Sequence, residues 1–115
     1  MDRRHRLSKG SEFDTVYEKG TAVGGPLVVL RHIPSDGPVA RWGFAVGKRL
    51  SKRAVRRNRV KRRLKAAAET YPVRSGVDIV VTARNGAVEA SFHDLRVALG
   101  RVLGRAGLIR PGDPR

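Results

Sequence analysis

The chain has 115 residues, no cysteine and a formal net charge of +15. That length suits one domain with one core, and the missing cysteines exclude a disulfide frame and a thiolate metal site. No apolar run is long enough to span a bilayer, and no apolar stretch follows the charged start, so neither a membrane span nor a secretion signal is expected.

Taken in order, "KGSEFDTVYEKG" reads as a first helix, capped by Ser11 and ended by Gly20. Phe13, Val16 and Tyr17 share one face by i, i+3, i+4 spacing. Leu27 to Ile33 is rich in β-formers and bounded by Pro26 and Pro34. "RWGFAVGK" alternates, with Phe44 and Val46 on one face and Gly43 and Ala45 on the other. A basic helix is expected from about Lys52 to Thr70, stopped before Pro72. Val77 to Arg84 is a continuous apolar run, the pattern of a strand buried on both faces. A last helix opens on Ser91, with Phe92, Leu95, Leu99, Val102 and Leu103 as its apolar stripe.

The predicted architecture is α+β: one sheet of about four strands packed with three helices. "RWGFAVGK", the basic helix and "VDIVVTAR" form a βαβ crossover, so the two strands are expected to run parallel. One domain covers residues 1–115, with a frayed N-terminus over about 1–6 and a C-terminal tail from about 109.

Charge is concentrated in the middle. Lys48 to Lys65 holds eleven Lys or Arg in eighteen residues, and no Asp or Glu lies between Asp36 and Glu69. On a helical wheel Val60, Leu64, Ala67 and Tyr71 make a core stripe. Arg57, Lys61 and Lys65 form one polar row and Asn58 and Arg62 a second, on one broad outward face. Like charges at i, i+4 cost an isolated helix roughly 0.2–0.5 kcal/mol per pair. An anionic partner relieves that repulsion, and a large excess of positive charge favours nucleic acid. A merely solvated basic face is the plainer alternative. A membrane-surface helix fits less well, because the apolar face has small Ala residues where an inserting helix has Trp, Phe or Leu. Asn58 is a poor helix former. It is either an exposed, slightly costly residue or an amide that fixes an Arg or bonds a phosphate or sugar.

A protein enzyme is not indicated: His5, His32 and His93 are scattered over three elements without metal-ligand spacing. A ribosomal or other structured-RNA or DNA-binding basic protein is one reading that uses this helix. The five cationic groups Arg57, Arg59, Lys61, Arg62 and Lys65, with the one Asn58, suit phosphates better than base edges.

The segment "AVRRNRVKRRLK" resembles the RNR signature of the bacterial ribonuclease P protein component. "RLSKGSEFDTVYEKG", "RWGFAVGKRL", "DIVVTARNGA" and "SFHDLRVALGRVLGRAG" are similar to that family's other segments in the same order, so the resemblance runs over nearly the whole chain. It implies a left-handed βαβ crossover, against the usual right-handed preference. It implies a partner, the ribonuclease P RNA, and a substrate, the 5′ leader of precursor tRNA. Mg²⁺-dependent cleavage would belong to the RNA, with no catalysis by the protein alone, no cofactor assigned to the protein and metal sites on it unknown. By the same resemblance Arg57, Asn58, Arg59, Lys61, Arg62 and Lys65 would face the catalytic RNA, with Lys48, Arg49 and Arg53 leading into them. Phe13 and Tyr17 would line the leader cleft, although by spacing alone they read as core packing. Arg31 departs from the aromatic or apolar residue expected there. The resemblance further implies a cytoplasmic place of work, no membrane and no obligate protein partner.

Overall fold

The computed structural model describes residues 1–109. A 3₁₀ turn at Arg3–His5 precedes α1 (Gly10–Lys19), β1 (Thr21–Gly24), β2 (Val28–Pro34), β3 (Arg41–Ala45), α2 (Ala54–Ala68), β4 (Val77–Ala83) and α3 (Phe92–Arg105). The four strands form one sheet in the order β1-β2-β4-β3. β4 pairs antiparallel with β2 and parallel with β3, so β3–α2–β4 is the expected βαβ unit.

β4 sits centrally because five of its seven residues are apolar and buried. Its side chains alternate between two cores. Val77, Ile79 and Val81 join Val60 and Leu64 of α2 and Leu95, Leu99 and Leu103 of α3 on one face. Val80 joins Leu7 and Val16 on the other, under α1. The helices α2 and α3 pack directly on each other. Tyr71, just past α2, donates from its hydroxyl to the Arg96 carbonyl at 2.6 Å and lies against Gly100, where a Cβ would collide with its hydroxyl.

Three details differ from the sequence expectation. Ser11 is not the cap of α1. Glu12 takes that role, its Oε1 accepting the backbone N–H groups of Ser8 at 3.1 Å and Lys9 at 3.0 Å. Placing the helix start at Gly10 puts Glu12 in the third helical position, where a carboxylate reaches back to the free donors. β1 had no predicted counterpart. Its four residues are mostly exposed, so no apolar alternation marked them. Phe92, expected in the apolar stripe of α3, is 40% exposed, and Ala98 is buried instead. Ser91 does cap that helix, accepting the Asp94 N–H at 3.0 Å.

The segment expected to fray, about 1–6, carries the 3₁₀ turn. It leads into a bridge between Arg6 and Trp42 of β3, with the Leu7 N–H donating to the Trp42 carbonyl at 2.8 Å. Of the tail expected from about 109, all but Ile109 lies outside the described residues.

Candidate nucleic-acid interface

The helix α2 forms because Val60, Leu64, Ala67 and Ala68 repeat at helical spacing and are buried against the sheet and α3. It begins at Ala54 and ends at Ala68, two residues inside the expected bounds at each end. Its first turn contains no acidic residue, so no carboxylate offsets the positive end of the helix dipole. Arg57 turns back and donates from Nη1 to the Ser51 carbonyl at 2.9 Å, fixing the basic approach to the helix. Lys48, Arg49 and Arg53 are exposed on that approach.

The outward rows expected on α2 are divided in the structure. Asn58, Arg59 and Arg62 are exposed, whereas Arg57, Lys61 and Lys65 are partly buried. Asn58 makes no side-chain hydrogen bond among the described residues, so its amide is open to a ligand. On the flank away from β3, Arg63 donates to the Ala90 carbonyl at 2.9 Å, which uses its charge to hold the loop before α3.

Lys61 and Lys65 lie one helical turn apart on the flank toward β3. With Arg6 and Phe13 they line a groove of about 220 Å³ at the outer edge of that strand, over Gly43 and Phe44. Two larger hollows lie elsewhere: one of about 650 Å³ between α3 and the turn after β1, and one of about 420 Å³ past the end of α2. Neither gathers the cations of α2, so size does not identify the site.

The aromatic pair of α1 is also divided. Phe13 is partly buried and packs onto Gly43, where a Cβ would lie 2.5 Å from its ring. The strand therefore needs glycine there for the ring to seat. Tyr17 is 40% exposed, with its hydroxyl 3.3 Å from Thr82 Oγ1. The Arg31 guanidinium stands 5.2 Å from the Tyr17 ring centre, within cation–π range. So the residue that departs from the expected aromatic supports the aromatic next to it.

Sequence reasoning missed a group that seats α1. Arg41 of β3 forks onto Asp78 of β4, from Nε to Oδ1 at 2.9 Å and from Nη2 to Oδ2 at 2.8 Å. Its Nη1 donates to Glu12 Oε2 at 2.7 Å. The Lys9 and Ser8 N–H donors, then Arg41, hold the Glu12 carboxyl below its ordinary pKa. Arg6 and Trp42 were missed as well. The one signal for Arg6 was the apolar Leu7 in an otherwise charged start, and Leu7 is indeed buried.

A family model described as Ribonuclease P matches residues 1–107. The ribonuclease P protein component of Symbiobacterium thermophilum is 39% identical over 113 residues, which cover 96% of this chain and 97% of that one. The corresponding protein of Shouchella clausii is 36% identical, covering 96% and 93%. Among solved structures, the RNase P protein of Staphylococcus aureus aligns with a TM-score of 0.83 at 27% identity over 92% of this chain and 98% of that one. The RNase P protein from Thermotoga maritima aligns at 0.75 with 25% identity, covering 87% and 96%.

Proposed function

The chain belongs to the ribonuclease P protein family, and we propose from that premise a division of labour between two surfaces. As a ribonuclease P protein component it is a subunit of a ribonucleoprotein endoribonuclease that works with ribonuclease P RNA. In the proposed reading the exposed side of α2 – Asn58, Arg59 and Arg62, with Lys48, Arg49 and Arg53 before them – holds that RNA. Phe13 and Tyr17 receive the single-stranded 5′ leader of precursor tRNA. The Mg²⁺ that cleavage requires is carried by the RNA, and the complex works in the cytoplasm. No helix of the described residues is long and apolar enough to cross a membrane.

The observation that carries the reading is the pairing of an acid-free cationic helix with an aromatic ring left 40% exposed on a neighbouring element. Folded RNA presents phosphates and shape, which cations hold. A single strand presents free base faces, which stack on aromatic rings at about 1–3 kcal/mol each.

The decisive experiment is Tyr17→Ala in the assembled enzyme. Precursor affinity is expected to fall by roughly tenfold, in line with one lost stack, while mature tRNA, which lacks the leader, binds as before. A melting curve checks that the variant is folded. Equal loss for precursor and mature tRNA would remove Tyr17 from the leader site, and loss of assembly would make it a packing residue. The basic surface has its own test. Arg59→Ala and Arg62→Ala are each expected to weaken assembly with ribonuclease P RNA. Each should lower the log–log salt slope by about 0.7–0.9. An unchanged slope in both would move the RNA site off this face.

A further inference from the structure

We propose that Arg6 is a phosphate-binding residue for the leader strand, which crosses the outer edge of β3 between Arg6 and the pair Lys61 and Lys65. This rests on the leader reading above and adds a wall, a direction and a residue to it.

The groove has two cationic walls from distant parts of the chain. Arg6 comes from the N-terminal segment, and Lys61 and Lys65 come from α2. Among the described residues no carboxylate lines the space between them. The main chain at Arg6 is fixed, while its side chain makes no hydrogen bond or ion pair among the described residues. Leu7 is 7% exposed and its N–H is bound to β3, whereas the Arg6 side chain faces solvent. An anchored backbone under a free guanidinium suits an anion contact, because little ordering remains to be done on binding.

The edge of β3 suits one strand. The Trp42 carbonyl accepts from Leu7, so the polar groups of Trp42 point away from β4. Strand alternation turns the N–H and C=O of Phe44 the same way, toward the groove. They offer a donor and an acceptor to the edge of an unpaired base, which a duplex would have already used. Phe13 adds an aromatic surface beside them. Lys61 and Lys65 thereby join the substrate side of α2, which leaves Asn58, Arg59 and Arg62 to the catalytic RNA.

The test uses the assembled enzyme with Arg6→Ala and, as control, Arg4→Ala, an exposed residue two positions earlier. Precursor and mature tRNA affinities are measured across salt, with leaders carrying one neutral methylphosphonate linkage at a time. Arg6→Ala is expected to lower precursor affinity about threefold to fivefold, as for a solvent-exposed charge contact. The salt slope should fall by about 0.7. Mature tRNA binding, assembly and the Arg4→Ala control should stay unchanged. One neutral linkage should weaken the unaltered protein yet cost Arg6→Ala nothing further. Equal loss for precursor and mature tRNA, loss of assembly, no loss at all, or no linkage masked by the substitution would each overturn the assignment. Tyr17→Ala separates the two levels. If it lowers precursor preference and Arg6→Ala does not, Arg6 alone is wrong. If neither does, the leader reading falls with it.

Discussion

Arg41→Ala is expected to destabilise the protein by about 2–3 kcal/mol, just below what breaking a fully buried ion pair costs. The reduction reflects partial exposure: the side chains of Arg41, Glu12 and Asp78 are 32%, 22% and 13% exposed. Removing the guanidinium leaves two carboxylates facing each other without a counter-charge. A thermal melt should show a drop of roughly 8–15 °C. The substitution also loosens the seat of α1, because Arg41 is the bond from β3 to Glu12, and Glu12 caps that helix. Glu12→Gln should cost less, since an amide oxygen still accepts the N–H groups. The two variants differ in pH behaviour. The Lys9 and Ser8 N–H groups hold Glu12 below its ordinary carboxylate value in the folded state. Its contribution is therefore fully present above that value and is lost as pH falls through the lower folded value. The stability gap between the parent protein and Glu12→Gln should close in acid. A gap that stays constant from neutral pH into the acid range would show that the charge of Glu12 does not stabilise the fold.

That network also shows where sequence reading stops. Glu12, Arg41 and Asp78 lie on three elements, and nothing in their local sequence links them. They meet only because parallel pairing sets Arg41 opposite Asp78 and α1 lies over that face. By contrast α2, β4 and α3 were legible, because each carries a long periodic or continuous apolar pattern that tertiary packing reinforces. The parallel βαβ relation followed from the strand–helix–strand order alone. β1 was invisible because it is short and held by its hairpin partner β2. In the candidate site, the cationic character of α2 was plain, but its division was not. A wheel assigns angles to side chains without knowing what stands beside the helix. The β3 edge and the Arg6 segment decide that Lys61 and Lys65 are half covered while Asn58 and Arg62 stay open. Phe13 and Tyr17 share a helical face, yet Gly43 makes room for one ring, and the other lies half open beside Thr82 and Arg31.

Protein rigorously freed of RNA is expected to leave precursor tRNA intact, and addition of ribonuclease P RNA is expected to bring cleavage at the end of the leader. Phosphodiester hydrolysis needs an activated water and groups that stabilise the leaving oxygen, commonly bound metal ions. Two carboxylates on this side of the sheet are already committed: Glu12 to the helix cap and Arg41, Asp78 to the same guanidinium. The His5 ring nitrogen Nδ1 is engaged with the Ala40 carbonyl at 3.1 Å. No group of three or more His, Cys, Asp or Glu gathers to hold a metal ion among the described residues. What the chain does offer is positive charge, and its effect should be largest where Mg²⁺ is scarce. RNA and substrate repel each other as polyanions, and Mg²⁺ or protein cations can each relieve that repulsion. The cleavage rate with protein relative to RNA alone should therefore be greatest at low Mg²⁺ and low salt, and should shrink as either rises. Tyr17→Ala should reduce this gain for precursor with a leader at limiting substrate, by about tenfold if one stack is lost, without changing saturated cleavage. Turnover by RNA-free protein that a point substitution in the protein abolishes would assign the chemistry to this chain. A protein effect independent of Mg²⁺ and salt would detach its role from charge.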